Sequence, residues 1–319
     1  MNETTRAGLH WRRTLFAVSC VCLAVSARVD AADFDIRDEA EFGKIVAADA
    51  RLTKLSTDMQ FTEGPVWVAG QGGCLVFSDI PADELKKWAA QGGLTTFRKP
   101  SQNANGNTVD RAGRLISCEH SGRRVSRLEK DGQLVTLVDQ FDGKKFNSPN
   151  DADVKSDGTI WFTDPDYGLR GQPHDYEGCL VFRFDPKTKA LNVVAKDFDK
   201  PNGIAFAPDE QRLYVADSGK PHHIRRFEVQ ADGTVKGGAI FCQIDRGVPD
   251  GIRCDAAGRV WSSAGDGVHI FAPDGKLIGK ILVPETPANL CFGGADGKTL
   301  FITARKSLYS IPVLVKGSR

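Results

Sequence analysis

The sequence predicts an all-β chain folded as a six-bladed β-propeller. Three observations lead there. One pattern recurs six times: a polar residue, a short apolar run, a turn rich in Asp and Gly, and a second apolar run. The copies open at Glu63, Asn105, Asn150, Asn202, Asp250 and Asn289, in steps of 42, 45, 52, 48 and 39 residues, the spacing of propeller blades. No stretch holds the helical apolar period over a useful length. One strand-turn-strand unit cannot bury both faces of its sheet. Six packed radially can, and their innermost strands then line a central channel.

The chain divides into three parts. Residues 1–31 read as a secretory signal peptide: Arg6, Arg12 and Arg13 precede the apolar run 14–27, which ends in small residues. Cleavage is expected after Ala31, with Ala27 as a second possibility. Arg12-Arg13 loosely resembles a twin-arginine signal, so export to the periplasm is the expectation. The apolar run is too short for a membrane span. Residues 32–50 are polar and aperiodic, and read as a loose N-terminal lead or linker. Residues 51–319 form the single propeller domain. Within it, residues 51–55 alternate like a strand, and residues 307–311 are the candidate partner that closes the last blade. Outer strands are expected at 84–88 with 94–97, 125–128 with 134–137, 180–184 with 191–194, 224–227 and 268–271. The longest loops, 166–178 and 217–223, both follow a second strand, which places them over the channel mouth where the polar residues stand.

With 42 basic and 41 acidic residues the net charge is +1, which argues against a nucleic-acid partner or a membrane surface held by charge. Nothing marks an obligate protein partner. Six of the eight cysteines lie beyond residue 31, dispersed in strand-like runs and without CxxC spacing, as small buried hydrophobes would.

Every copy begins with a side-chain oxygen, and all six begin at one mouth of the channel. Glu63, Asn150, Asn202 and Asp250 together offer two carboxylates and two amides. Oxygen-only donors suit a hard cation such as Ca²⁺, and the lack of His or Cys in the ring disfavours zinc. The plainer alternative is that each polar residue caps its own turn. Six in register, two of them acidic, favour a central axial metal site, because converging carboxylates repel unless a cation lies between them.

Residues 61–65 (Phe-Thr-Glu-Gly-Pro), 147–151 (Asn-Ser-Pro-Asn-Asp), 200–203 (Lys-Pro-Asn-Gly) and 248–251 (Val-Pro-Asp-Gly) resemble the signatures of the gluconolactonase and regucalcin (senescence-marker-protein) family. Residues 118–124 and 161–168 resemble its bacterial branch. The resemblance implies one divalent cation, typically Ca²⁺, and hydrolysis of sugar lactones. It implies Glu63, Asn202 and Asp250 as direct ligands, with Asn150 at the metal and touching substrate. Animal members carry Arg where this chain has Ser148.

Hydrolysis of a lactone needs an activated water, a polarised carbonyl and a proton acceptor. Asp250 is the expected catalytic base. Asn105, Asn150, His120, Asp164 and Tyr167 are the expected substrate contacts. Asp79, Glu119, Asp164 and Asp217 occupy equivalent strand ends, where the plainer role is to satisfy local backbone groups. His222-His223 and Arg123-Arg124 read as solvated. No Gly-x-Ser-x-Gly is present, which disfavours a serine hydrolase. The competing readings are another metal-propeller esterase or phosphotriesterase, and a non-enzymatic calcium-binding propeller.

Overall fold

The computed structural model describes Met1 and residues 34–70 and 72–318. Six antiparallel sheets form the blades. Blade 1 contains strands Thr62–Val68, Cys74–Asp79, Glu84–Ala89 and Gly93–Arg98. Blades 2 to 6 begin with Ala104–Val109, Ala152–Val154, Pro201–Phe206, Ile252–Cys254 and Pro287–Gly293. Each of these innermost strands touches the next, and Pro287–Gly293 returns to Thr62–Val68, so the circle closes. The expected outer strands all form, among them Arg124–Leu128 with Leu134–Val138 and His223–Val229 in the fourth blade.

The apolar residues are divided among the six blade interfaces. In the second strand of blade 1, Leu75 and Phe77 pack toward blade 6, whereas Val76 packs toward blade 2. In blade 3, Ile160 and Phe162 face blade 2, and Trp161 faces blade 4. Alternate side chains leave opposite faces of a strand, so a central strand apolar on both faces serves two neighbours. Cys118, Cys179, Cys242, Cys254 and Cys291 are buried, as expected of small apolar side chains.

Both chain ends tie the circle. Thr53–Ser56 pairs with Ser307–Pro312, with Thr53 opposite Ser310, so strands from the two ends complete blade 6 as expected. Residues 34–50 correct the expectation of a loose lead. Phe34–Ile36 adds a fifth strand to blade 5, and the short helix Glu39–Phe42, capped by the Asp38 side chain, lies over it. Phe42, Ile45, Val46 and Ala50 are buried between blades 5 and 6. The apolar residues there are few and carry no strand period, so they read as polar lead. The signal-peptide expectation for residues 1–31 falls, apart from Met1, outside the described residues. No helix among the described residues is long and apolar enough to cross a membrane.

The glycine that follows most ring residues has a packing reason. Gly64 takes φ +52°, and the next blade's Asn105 carbonyl fills the space a side chain would need. Gly106 donates its N–H to the Asn150 carbonyl at 2.7 Å, and Gly203 to the Asp250 carbonyl at 3.1 Å. A Cβ on Gly203 would overlap that Asp250 oxygen. Blades therefore approach backbone to backbone at the mouth, which only glycine allows. Gly203→Ala should cost about 1–3 kcal/mol through forced overlap, read as a lower midpoint in thermal or urea unfolding. Gly158→Ala, at a turn with open space around it, is the comparison that controls for backbone strain alone.

Candidate metal and substrate site

The six first-strand residues meet as a hydrogen-bonded chain at one mouth of the channel. Asn105 Nδ2 donates to Asn150 Oδ1. Asn150 Nδ2 donates to Asn202 Oδ1 at 2.7 Å, and Asn202 Nδ2 donates to Ser218 Oγ at 2.9 Å. The Asp250 carboxyl stands close to the Asn202 amide and to the Glu63 carboxyl. Asn289 Nδ2 donates to Glu63 Oε2 at 2.9 Å. Glu63, Asn105, Asn150, Asn202 and Asn289 are buried, while Asp250 is half-buried. Asp250 is thus the ring member best placed to meet a molecule entering from the mouth.

Two carboxyls this close repel when both are charged, which favours a proton on one of them unless a cation lies between. Burial, helped by the Asp151 charge, pushes Glu63 up from 4.5 to about 7. Burial and then the Glu63 charge push Asp250 well above the usual carboxylate range. The Asn150 and Asn202 amide oxygens each accept from the preceding ring residue through one lone pair and keep a second. This donor set fits a hard divalent cation, which would replace the proton. Among the described residues, no group of three or more His, Cys, Asp and Glu is arranged to hold a metal. The ring's oxygens are instead two carboxylates supplemented by amides.

The strand-end acids have a different task. Asp164 is fully buried; its Oδ2 accepts from Asn147 N at 2.8 Å and from the Tyr176 hydroxyl, and its Oδ1 from Ser148 N at 2.7 Å. Asp79 accepts from Gln60 N and Phe61 N, and Asp217 from Asp199 N and Lys200 N. Each carboxylate thus braces the two residues that stand three and two places before a ring residue. Asp164 is therefore a brace, not the substrate contact expected. Glu119 departs from the pattern: it binds Arg98 at 3.1 Å and Arg124 at 2.5 Å. Arg124 is accordingly not merely solvated, and Arg123 pairs with Asp175.

His120 lies at the ring, its Nε2 3.3 Å from Asn105 Nδ2. Burial lowers it to about 4, so the His120 imidazole is neutral near pH 7. Tyr167 is largely exposed and hangs over the mouth within reach of Ser218 and Asn202. Ser148 holds it there: Ser148 Oγ donates to Pro165 O at 2.6 Å and accepts from Gly168 N at 2.9 Å. Lys200 bonds Asp166 and lies 5.9 Å from the centre of the Tyr167 ring. Ser148, Ser218 and Lys200 are rim residues that sequence reasoning did not assign, although Ser148 and Lys200 sit inside its motifs. A cavity of about 530 Å³ opens at the other end of the channel, between Trp67, Asp153, Phe292 and Lys316. It contains none of the six ring residues.

Residues 61–306 match the model of the SMP-30/gluconolactonase/LRE-like region. The chain belongs to this family. A gluconolactonase of Zymomonas mobilis is 33% identical over 297 residues, covering 84% of this chain and 82% of that protein. The 6-deoxy-6-sulfogluconolactonase of Pseudomonas putida is 30% identical, covering 76% of this chain and 83% of its own. The solved structure of a Xanthomonas campestris gluconolactonase superposes with a TM-score of 0.85 at 36% identity, covering 90% of this chain and 97% of that one. Family and propeller are those expected from the sequence.

The raised carboxyl makes metal-free stability depend on pH. Folded Glu63 holds its proton up to about 7 and an unfolded one only to 4.5, so the folded state binds more protons between these values. Metal-free stability should therefore fall as pH rises from 4.5 to 7, and the raised Asp250 adds to the fall. Glu63→Gln should make that slope shallower in thermal melts, and saturating Ca²⁺ should flatten it in the native chain.

Proposed function

We propose that this chain hydrolyses sugar lactones, with one divalent cation, Ca²⁺ first among candidates, held by Glu63, Asn150, Asn202 and Asp250. The observation that carries the proposal is the facing pair of carboxyls at the mouth, flanked by amide oxygens, in a chain whose relatives are lactonases. Its enzyme class is that of those relatives, hydrolases of carboxylic esters. A cation bound there supplies Lewis acidity to the carbonyl and acidifies water. The half-buried Asp250 takes a proton from the attacking water as its oxygen bonds the carbonyl carbon. When the ring C–O bond breaks, Asp250 returns the proton to the departing alkoxide, which becomes the hydroxyl of the open acid. Glu63, buried and bonded to Asn289, holds position. Asn105, His120 and Tyr167 surround the mouth and supply hydrogen bonds to sugar hydroxyls. We extend the proposal to export, on the residues that precede the lead.

Two measurements test this. Proton release from glucono-1,5-lactone, followed by pH-stat, should disappear when the chain is stripped of metal and return with added Ca²⁺. The chelated chain should also melt at lower temperature, because a ligand of the folded state alone stabilises it. Undiminished turnover in chain shown metal-free by elemental analysis would refute the mechanism. A paraoxon and aryl-ester panel run alongside decides between a lactonase and another ester hydrolase. The roles of the two acids separate at saturating cation. Asp250→Asn should lose about 10²–10⁴ in turnover, the usual contribution of a positioned base, while Glu63→Gln keeps measurable turnover. Equal turnover in the two saturated variants would make Asp250 a ligand only.

A further inference from the structure

We propose that Arg253 is a built-in counter-cation of the channel, which by pairing with Asp151 beneath the ring keeps the bound cation at the level of Asp250 and sets how tightly it is held. The inference rests on the cation reading above. Asp151 directly follows the ring residue Asn150, and its carboxylate lies against Gly106, next to the ring residue Asn105. Its Oδ2 accepts from Arg253 Nη1 at 3.0 Å, and its Oδ1 from Ala152 N at 2.9 Å. The Arg253 group also donates to Ile252 O at 2.7 Å. Arg253 reaches this place from the innermost strand of blade 5, three residues past Asp250, and also lines the cavity at the far end. The pair therefore forms the floor between the ring and that cavity. The Asp151 side chain is 2% exposed and that of Arg253 20%.

Charge explains why a floor of this kind is useful. Asp151 stands close enough to raise both Glu63 and Asp250, and Arg253 close enough to lower Glu63. Three carboxylates around one short length of channel carry three negative charges. A divalent cation answers two of them. Without Arg253 the third would draw the cation below the ring, away from the half-buried Asp250 and from any carbonyl entering at the mouth. The guanidinium removes that excess, and its planar fork cannot lose its charge at working pH. Asp153 lies lower, lining the far cavity with its Oδ2 accepting from Phe206 N at 2.9 Å, and its charge acts on Arg253 from that side.

Isothermal titration of the full chain with Ca²⁺ at pH 8 and low salt tests the inference through the sign of the change. Asp151→Asn removes the guanidinium's hydrogen-bonded carboxylate partner and one negative charge beneath the ring, and should weaken binding on the order of tenfold. Arg253→Met leaves the carboxylate unopposed and should tighten binding by a similar factor or admit a second Ca²⁺. Asp151→Asn combined with Arg253→Met should return to near the native affinity at one Ca²⁺ per chain. Arg253→Lys, which keeps the charge, should stay close to native. If Arg253→Met does not fold, the Asp151→Asn chain and the double variant decide. Weakening in every variant, or no change in Asp151→Asn and Arg253→Met, would reduce the pair to a packing role and overturn the inference alone. A native chain that takes up no divalent cation would overturn the cation reading and this inference together.

Discussion

The facing carboxyls of Glu63 and Asp250 are the constraint on which the rest of the site depends. They come from blades 1 and 5, far apart in sequence, and the circular fold brings them to one place. Burial of two like charges is costly unless they share a proton or a cation. The surroundings supply neutral oxygens rather than more acids: Asn150 and Asn202 extend the ring without adding repulsion, and Asn289 donates to Glu63 at 2.9 Å. Holding these groups together requires blades that approach closely at the mouth. The glycines after the ring residues provide that approach, and the neighbouring hydroxyls reinforce it. Ser78 donates to the Asn105 carbonyl at 2.6 Å, and Thr163 to the Asn202 carbonyl at 2.7 Å. Each of those hydroxyls reaches from one blade's second strand to the next blade's first. Packing energy spread over six interfaces is thereby spent on placing a few oxygens.

Much of this was legible in the sequence because it repeats. Six polar starts in register disclosed the blades, the channel and the ring, and the alternation at residues 51–55 disclosed the closure with residues 307–311. What the repeat did not carry was harder to see. The packed segment Phe34–Ile36 and helix Glu39–Phe42 occur once, with too few residues for a period to show. Asp164 was misassigned because a carboxylate at a strand end near a site has the same appearance whether it braces backbone or meets substrate; only its filled oxygens separate the two. The regularity that could have decided it was nevertheless present. Asp79, Asp164 and Asp217 stand at the same strand end, and a role shared by several blades is structural rather than particular to one substrate. Arg253 left a fainter signal, a charge between Ile252 and Cys254 in an innermost strand. Such a residue must face the channel, and a buried charge there needs a partner, but the partner lies two blades away.

The rim and the ring answer to different demands. Ring residues are positioned by main-chain contacts that recur around the circle, so they change only if the blades move. The rim over them is built from one loop, 165–178, longer than the corresponding loop of any other blade. Ser148 holds the start of that loop through Pro165 and Gly168, and Asp164 and Tyr176 fasten its two ends. Tyr167 thus projects over the mouth from that loop, with Lys200 beside it. On the proposed reading, a substitution in the loop alters which hydroxyl pattern is admitted more than it alters Glu63 and Asp250. Glycine at 168 shows how tight that support is, since any side chain there would press on both Ser148 and His120. On the proposed reading, selectivity is therefore set where the repeat breaks, and chemistry where the repeat holds.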